Sequence, residues 1–189
     1  MKNQSLALTA SLAIASFLIG SAFGYFVSPT YQQTMFERKT MDLGVADRWV
    51  DLRYLNAMAA HHRGAILLAD QVDEKFARPE IKSLASEIKQ NEPKLIAELY
   101  AWKKKWYGDG SQVRDPIVAR LGSADANSDL RFLNALIAHH EAGILMTKEI
   151  RLKSSNAEVL SNADAVEQFL SGSIVTLKAW RADWYKIQP

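Results

Sequence analysis

The chain has no cysteine. Disulfides, thiolate metal sites, cysteine nucleophiles and a cysteine-linked lipid anchor are therefore excluded. Histidine is also scarce, with 4 in 189 residues. A net charge of +2 is too small to argue for nucleic acid. The one basic run, Lys103-Lys104-Lys105, reads as a solvated helix face. There is no Gly-x-Ser-x-Gly and no Gly-rich phosphate loop, so neither a nucleophile elbow nor a nucleotide cradle is expected. None of the histidines has a glutamate three residues before it, which argues against a dinuclear iron site. No carboxylate is placed in sequence to orient a histidine, and no enzyme is expected. No segment alternates apolar and polar residues as a strand would. The fold class that remains is all-α.

Charge is missing from Asn3 to Phe36. The apolar heart of that region, residues 6–27, would span ~33 Å as a helix, about one hydrocarbon core. Lys2 and the terminal amine precede it, which favours a cytoplasmic N-terminus and an exported remainder. A cleavable signal peptide is the rival, with Ala22-Phe23-Gly24 as a mediocre cleavage site. Residues 1–28 are thus expected to be a single-pass membrane anchor. Ser16, Gly20 and Gly24 line one face and would let a second membrane helix approach. Residues 29–46 read as a linker.

The rest of the chain repeats itself. The four histidines fall in two pairs, His61-His62 and His139-His140, which are 139 − 61 = 78 residues apart. A shift of 78 matches Asp51–Leu67 to Asp129–Leu145 with 11 identities in 17 positions. The same shift pairs Gln90 with Gln168, Trp102 with Trp180, Trp106 with Trp184 and Tyr107 with Tyr185. This is the mark of an internal duplication. Helical spacing of apolar residues predicts helices over Asp47–Val72, Pro79–Tyr107, Asp129–Leu152 and Ala157–Ile187. Ser128 is the expected N-cap of the third. A short helical turn is expected at Pro116–Leu121 within the connector. Two similar hairpins, 47–110 and 128–189 with a connector at 111–127, predict a four-helix bundle. Trp102/Trp106 and Trp180/Trp184 would plug its ends or form a partner surface, with Arg53 and Arg131 stacked on the indoles.

Adjacent helix residues point ~100° apart, so His61 and His62 would not chelate one ion side by side. Met58 precedes them by three and four residues, within reach of either. In the second copy Leu136 replaces Met58, and Met146 follows His139 by two turns. Imidazole with thioether suits copper, Cu(I) especially. The alternatives are histidines hydrogen-bonded in the core, with His62 and His140 as the inner members, or a pH-sensing cluster.

The phrase Leu-Asn-Ala-Met-Ala-Ala-His-His-Arg-Gly-Ala-Ile-Leu-Leu-Ala at 55–69, followed by Ala-Trp-Lys-Lys-Lys-Trp-Tyr-Gly at 101–108, resembles the bacterial family called domain of unknown function 305. That resemblance implies a ferritin-like four-helix bundle, exported, in two tandem copies behind the anchor. It also implies a metal site, copper for preference, at Met58, His61, His62, His139, His140 and Met146. The sequence departs from the family pattern at Leu68, Leu136, Leu99 and Leu177, where methionine is usual. The family's second-helix glutamate has no clean match, with Gln90 and Gln168 as displaced remnants. The expected function is metal binding by a membrane-anchored bundle on the periplasmic or luminal side. The alternative is a non-catalytic assembly subunit of a membrane complex, or a homo-oligomer, with structural histidines.

Overall fold

The computed structural model describes residues 42–73, 75 and 77–187. The expected membrane anchor lies outside them. No described helix is long and apolar enough to cross a membrane. Four helices follow one another: α1 (Val50–Ala69), α2 (Pro79–Tyr107), α3 (Ser128–Arg151) and α4 (Ala157–Tyr185). Among the described residues there is no strand. The arrangement is all-helical, as a four-helix bundle requires.

Each helix pair forms a hairpin, α1 with α2 and α3 with α4, and the hairpins meet through α1 and α3. Two apolar clusters fill the interior. One joins Leu55, Met58, Leu99, Met146, Ile150 and Val159. The other joins Ile66, Leu68, Ile81, Leu133, Leu136 and Leu177. The first half of α1 thus shares a cluster with the second half of α3, so the two helices run antiparallel. Each such side chain, fully buried, contributes about 1.5–3 kcal/mol of transfer free energy.

Helix ends show why the chain turns where it does. Pro79 occupies the first turn of α2, where its missing N–H costs nothing. Gly108, at φ 65°, ends α2 and returns its N–H to the Lys104 carbonyl. Lys186, 78 residues on, ends α4 at φ 56° and returns its N–H to Ala182. The Asn156 side chain caps α4 by accepting from the Glu158 and Val159 amides. Ser128 does not cap α3 as expected. It is the first helical residue, and its Oγ accepts from the Asp125 amide at 2.7 Å.

Residues 78 apart make matching contacts. Arg53 donates to the carbonyls of Leu43 and Val45 and pairs with Asp47. Arg131 donates to those of Leu121 and Ser123 and pairs with Asp125. These contacts replace the expected arginine stacking on indole. The indoles stack on each other instead, Trp102 on Trp106 at 5.4 Å and Trp180 on Trp184 at 5.3 Å. Arg78 is the arginine that lies over Trp184. The Leu43 amide donates to Glu149, and the Leu121 amide donates to Gln71, 149 − 78 = 71. Each hairpin is therefore tied to the segment leading into the other. That tie also explains why Pro116–Leu121 forms no helical turn. Its backbone bonds to Gln71, just past the end of α1, at the Ala119 carbonyl and the Leu121 amide, rather than to itself.

Lys103 corrects the solvated-face reading. Its ammonium is buried, donating to Asn56 Oδ1 at 2.8 Å and to Ser111, and pairing with Asp109 at 3.1 Å. The counterpart, Arg181, donates to Asn134 at 3.0 Å.

Candidate metal centre

All four histidines are buried where α1 meets α3. The rings of His61 and His139 stack, with centroids 3.9 Å apart and planes 2° apart. These two residues are equivalent under the 78-residue shift. Equivalent residues in direct contact lie on the pseudo-two-fold axis between the hairpins. His61, expected on the flank, is therefore the ring that meets α3, and it is buried as fully as His62.

Two glycines make room for the stack. A Cβ on Gly143 would come within 2.6 Å of His61 Nε2 and of a Leu170 methyl. A Cβ on Gly64 would come within 2.9 Å of His139 Cε1. Each ring thus lies over a glycine of the opposite helix.

His62 Nδ1 is hydrogen-bonded to the Glu92 carboxylate on α2. A carboxylate on one ring nitrogen orients the ring and, in the neutral form, keeps the proton on Nδ1 so that Nε2 is the donor atom. His140 Nε2 lies 3.0 Å from Ser173 Oγ on α4. Among the described residues, three buried ring nitrogens have no hydrogen-bond partner: His61 Nδ1, His139 Nε2 and His140 Nδ1. Buried polar atoms are rarely left so, and each asks for a ligand or a function.

Burial keeps these rings neutral. It pushes the His139 pKa down to about 3, helped by the neighbouring His140 and His62. It pushes His140 down to about 4. His61 falls well below the ordinary range, from burial first and then from His139. Neutral imidazole is the form that binds metals.

The four rings form the floor of a cleft of about 670 Å³ between α2 and α4. Leu95, Trp102, Val166, Phe169 and Leu170 wall it, and Glu92, Glu98 and Glu158 supply its carboxylates. Met58 and Met146 do not line the cleft. Both are fully buried in the apolar cluster beneath Trp102 and Val166. Leu99 shares that cluster, and Leu177 sits in the other. Gln90 is exposed and bonds to Ser86, so it is no remnant of a ligand.

Glu92 and Ser173 are the residues that sequence reasoning missed. Glu92 lies 99 − 92 = 7 residues, two helical turns, before Leu99, on the same face. That register was the available signal. Nothing in the sequence singled out Ser173.

The donor chemistry fits a metal that accepts imidazole: three rings that burial holds neutral, each with one buried nitrogen unpartnered among the described residues, and a fourth, His62, backed by Glu92. Among the described residues, no three His, Asp or Glu side chains converge closely enough to hold an ion by themselves. A complete coordination shell must therefore draw on another donor.

Fold and site together define an all-helical, four-helix protein with a histidine-floored cleft. The sequence profile of one family, Domain of unknown function (DUF305), matches residues 51–128. Solved structures of CopM are similar. CopM in the Cu(I)-bound form shares 26% identity at a TM-score of 0.64, covering 73% of this chain and 99% of that one. CopM in the apo form shares 27% at 0.62, covering 71% and 98%. The Ag-bound form obtained by co-crystallization shares 25% at 0.63, covering 71% and 97%. No curated protein sequence matches.

Proposed function

We propose that this chain is a membrane-anchored, extracytoplasmic metal-binding protein that takes copper through imidazole and thioether and catalyses nothing. The observation that carries this reading is the burial of every histidine on one cleft floor, with three ring nitrogens unpartnered. The likeness to CopM, whose Cu(I)- and Ag-bound forms have been solved, supports it. The metal ligands proposed are His61, His62, His139 and His140, with Met58 and Met146. The two matched hairpins are read as a tandem duplication of one ancestral unit. The uncharged segment at 6–27 would hold the bundle to the membrane on its periplasmic or luminal side.

Titrating Cu(I) and Cu(II) into the purified chain tests the reading. Stoichiometric binding that is lost in His61→Ala/His62→Ala or His139→Ala/His140→Ala supports it. Absence of binding to either ion overturns it. Membrane fractionation of the full chain tests the anchor separately.

A second reading is a non-catalytic assembly subunit of a membrane complex, or a homo-oligomer. The bonds from His62 to Glu92 and from His140 to Ser173 favour structural histidines. Exposed Leu145, Leu152, Phe169 and Val175 on and after α3 and on α4 would supply contacts. Copper-free protein co-purifying in a larger assembly would support this alternative.

A further inference from the structure

The pseudo-two-fold axis creates two places where a site of the same plan could form. Around His61, Met58 lies one turn earlier on the same helix. The ring overlies Gly143, and Met146 lies one turn beyond Gly143 on α3. Helical side chains lean toward the N-terminus. Met146 therefore leans back toward Gly143 and the His61 ring, while the His61 ring leans toward Met58. Both methionines are fully buried and belong to one cluster.

Around His139, the same plan is filled differently. Leu136 lies one turn before His139, and the ring overlies Gly64. Leu68 lies one turn beyond Gly64. Leu136 and Leu68 are buried in the other cluster. The shift of 78 turns Met58 into Leu136 and Leu68 into Met146. One methionine from each hairpin thus gathers on one side of the axis, and one leucine from each on the other.

We infer that the chain has a single copper site, on the His61 side, with the thioethers of Met58 and Met146 supplying the donors that the imidazoles lack. The His139 side has the same helical geometry and no sulfur. Thioether sulfur selects Cu(I) over harder ions, so the ion held is Cu(I). Trp102 and Val166 line the cleft and pack on the methionine cluster, so two side chains separate that cluster from the cleft. This inference rests on the copper reading above and goes further in site count, position and oxidation state.

The test is a competition titration of the full-length, detergent-solubilised chain with a chromophoric Cu(I) chelator, read with X-ray absorption at the copper edge. One Cu(I) per chain with sulfur in its shell is expected. Met58→Leu/Met146→Leu should remove the sulfur signal and weaken binding at least tenfold. Leucine for methionine conserves volume, and circular dichroism checks that the variant stays folded. Leu68→Met/Leu136→Met should raise the capacity to two. Two Cu(I) in the natural chain overturns this inference and leaves the copper reading standing. Sulfur-free binding unchanged in the double leucine variant overturns this inference and the thioether ligands of that reading, and leaves copper binding by imidazole standing. No Cu(I) binding at all overturns both.

Discussion

Where the chain leads into α1 and α3 the two hairpins match, and at their centre they do not. Arg53 and Arg131 grip equivalent carbonyls, 78 residues apart, and Gly44 and Gly122 turn at φ 68° and 74° beside them. Around the axis, the shift of 78 replaces Glu92 by Leu170 and Leu95 by Ser173, and exchanges methionine and leucine twice. Ends must satisfy unpaired backbone groups, and few residues do so. The centre needs only filled volume, so leucine and methionine exchange there at little cost. Chemistry can therefore differ between the halves while the scaffold stays equal.

The largest expected effect strikes the shared centre. His61, His139 and His140 stay neutral when folded and protonate near 6.5 when unfolded. Above that value they leave stability independent of pH. Below it the unfolded chain binds more protons, so stability falls as pH drops, down to the folded values of about 3 and 4 for His139 and His140. The slope is about 1.4 kcal/mol per pH unit for each ring, several kcal/mol in total by pH 5. Denaturant unfolding between pH 7 and pH 5 checks this. A flat profile would show that the rings are not buried.

Next in size is the contrast between the two buried cations. Lys103→Ala strips partners from Asn56, Ser111 and Asp109, and should cost about 3 kcal/mol. Arg181→Ala, at a half-buried site where the guanidinium donates to Asn134, should cost about 1 kcal/mol. Equal losses in urea melts would break the comparison. Gly143→Ala should cost about 2–3 kcal/mol, because the new methyl meets the His61 ring and Leu170 together. Gly64→Ala should cost about 1 kcal/mol, since only the edge of His139 is closer than 3.0 Å. Thermal unfolding ranks the pair, and the opposite order would place the ring stack elsewhere. The smallest difference is expected between Arg53→Ala and Arg131→Ala, about 1–2 kcal/mol each and equal within ~0.5 kcal/mol. A wide gap would show that the two ends are not mechanically alike.

Much of this was legible in the residues. The helical stripes, the stop at Gly108, the break at Pro79 and the burial of histidine followed from spacing and turn chemistry. The match of Leu43-Gly44-x-Ala46-Asp47 to Leu121-Gly122-x-Ala124-Asp125 was equally legible, and the 78-residue identities taken from Asp51 onward left it out. Lys103 was misread because a charge run reveals nothing of the one member that turns inward. Glu92 was not legible because its register with Leu99 lies within α2, while the ring it meets, His62, lies on another helix.

What the sequence determined by itself was local: which segments are helical, where they stop, and that one plan occurs twice with altered lining. Periodicity and caps act over a few residues, so one dimension suffices to read them. Which imidazoles touch, that Glu92 reaches His62, and that Met58 and Met146 collect on one side were decided only by the packing of α1 against α3. An antiparallel crossing about an axis joins residues 146 − 58 = 88 positions apart, and no rule of local spacing encodes that meeting.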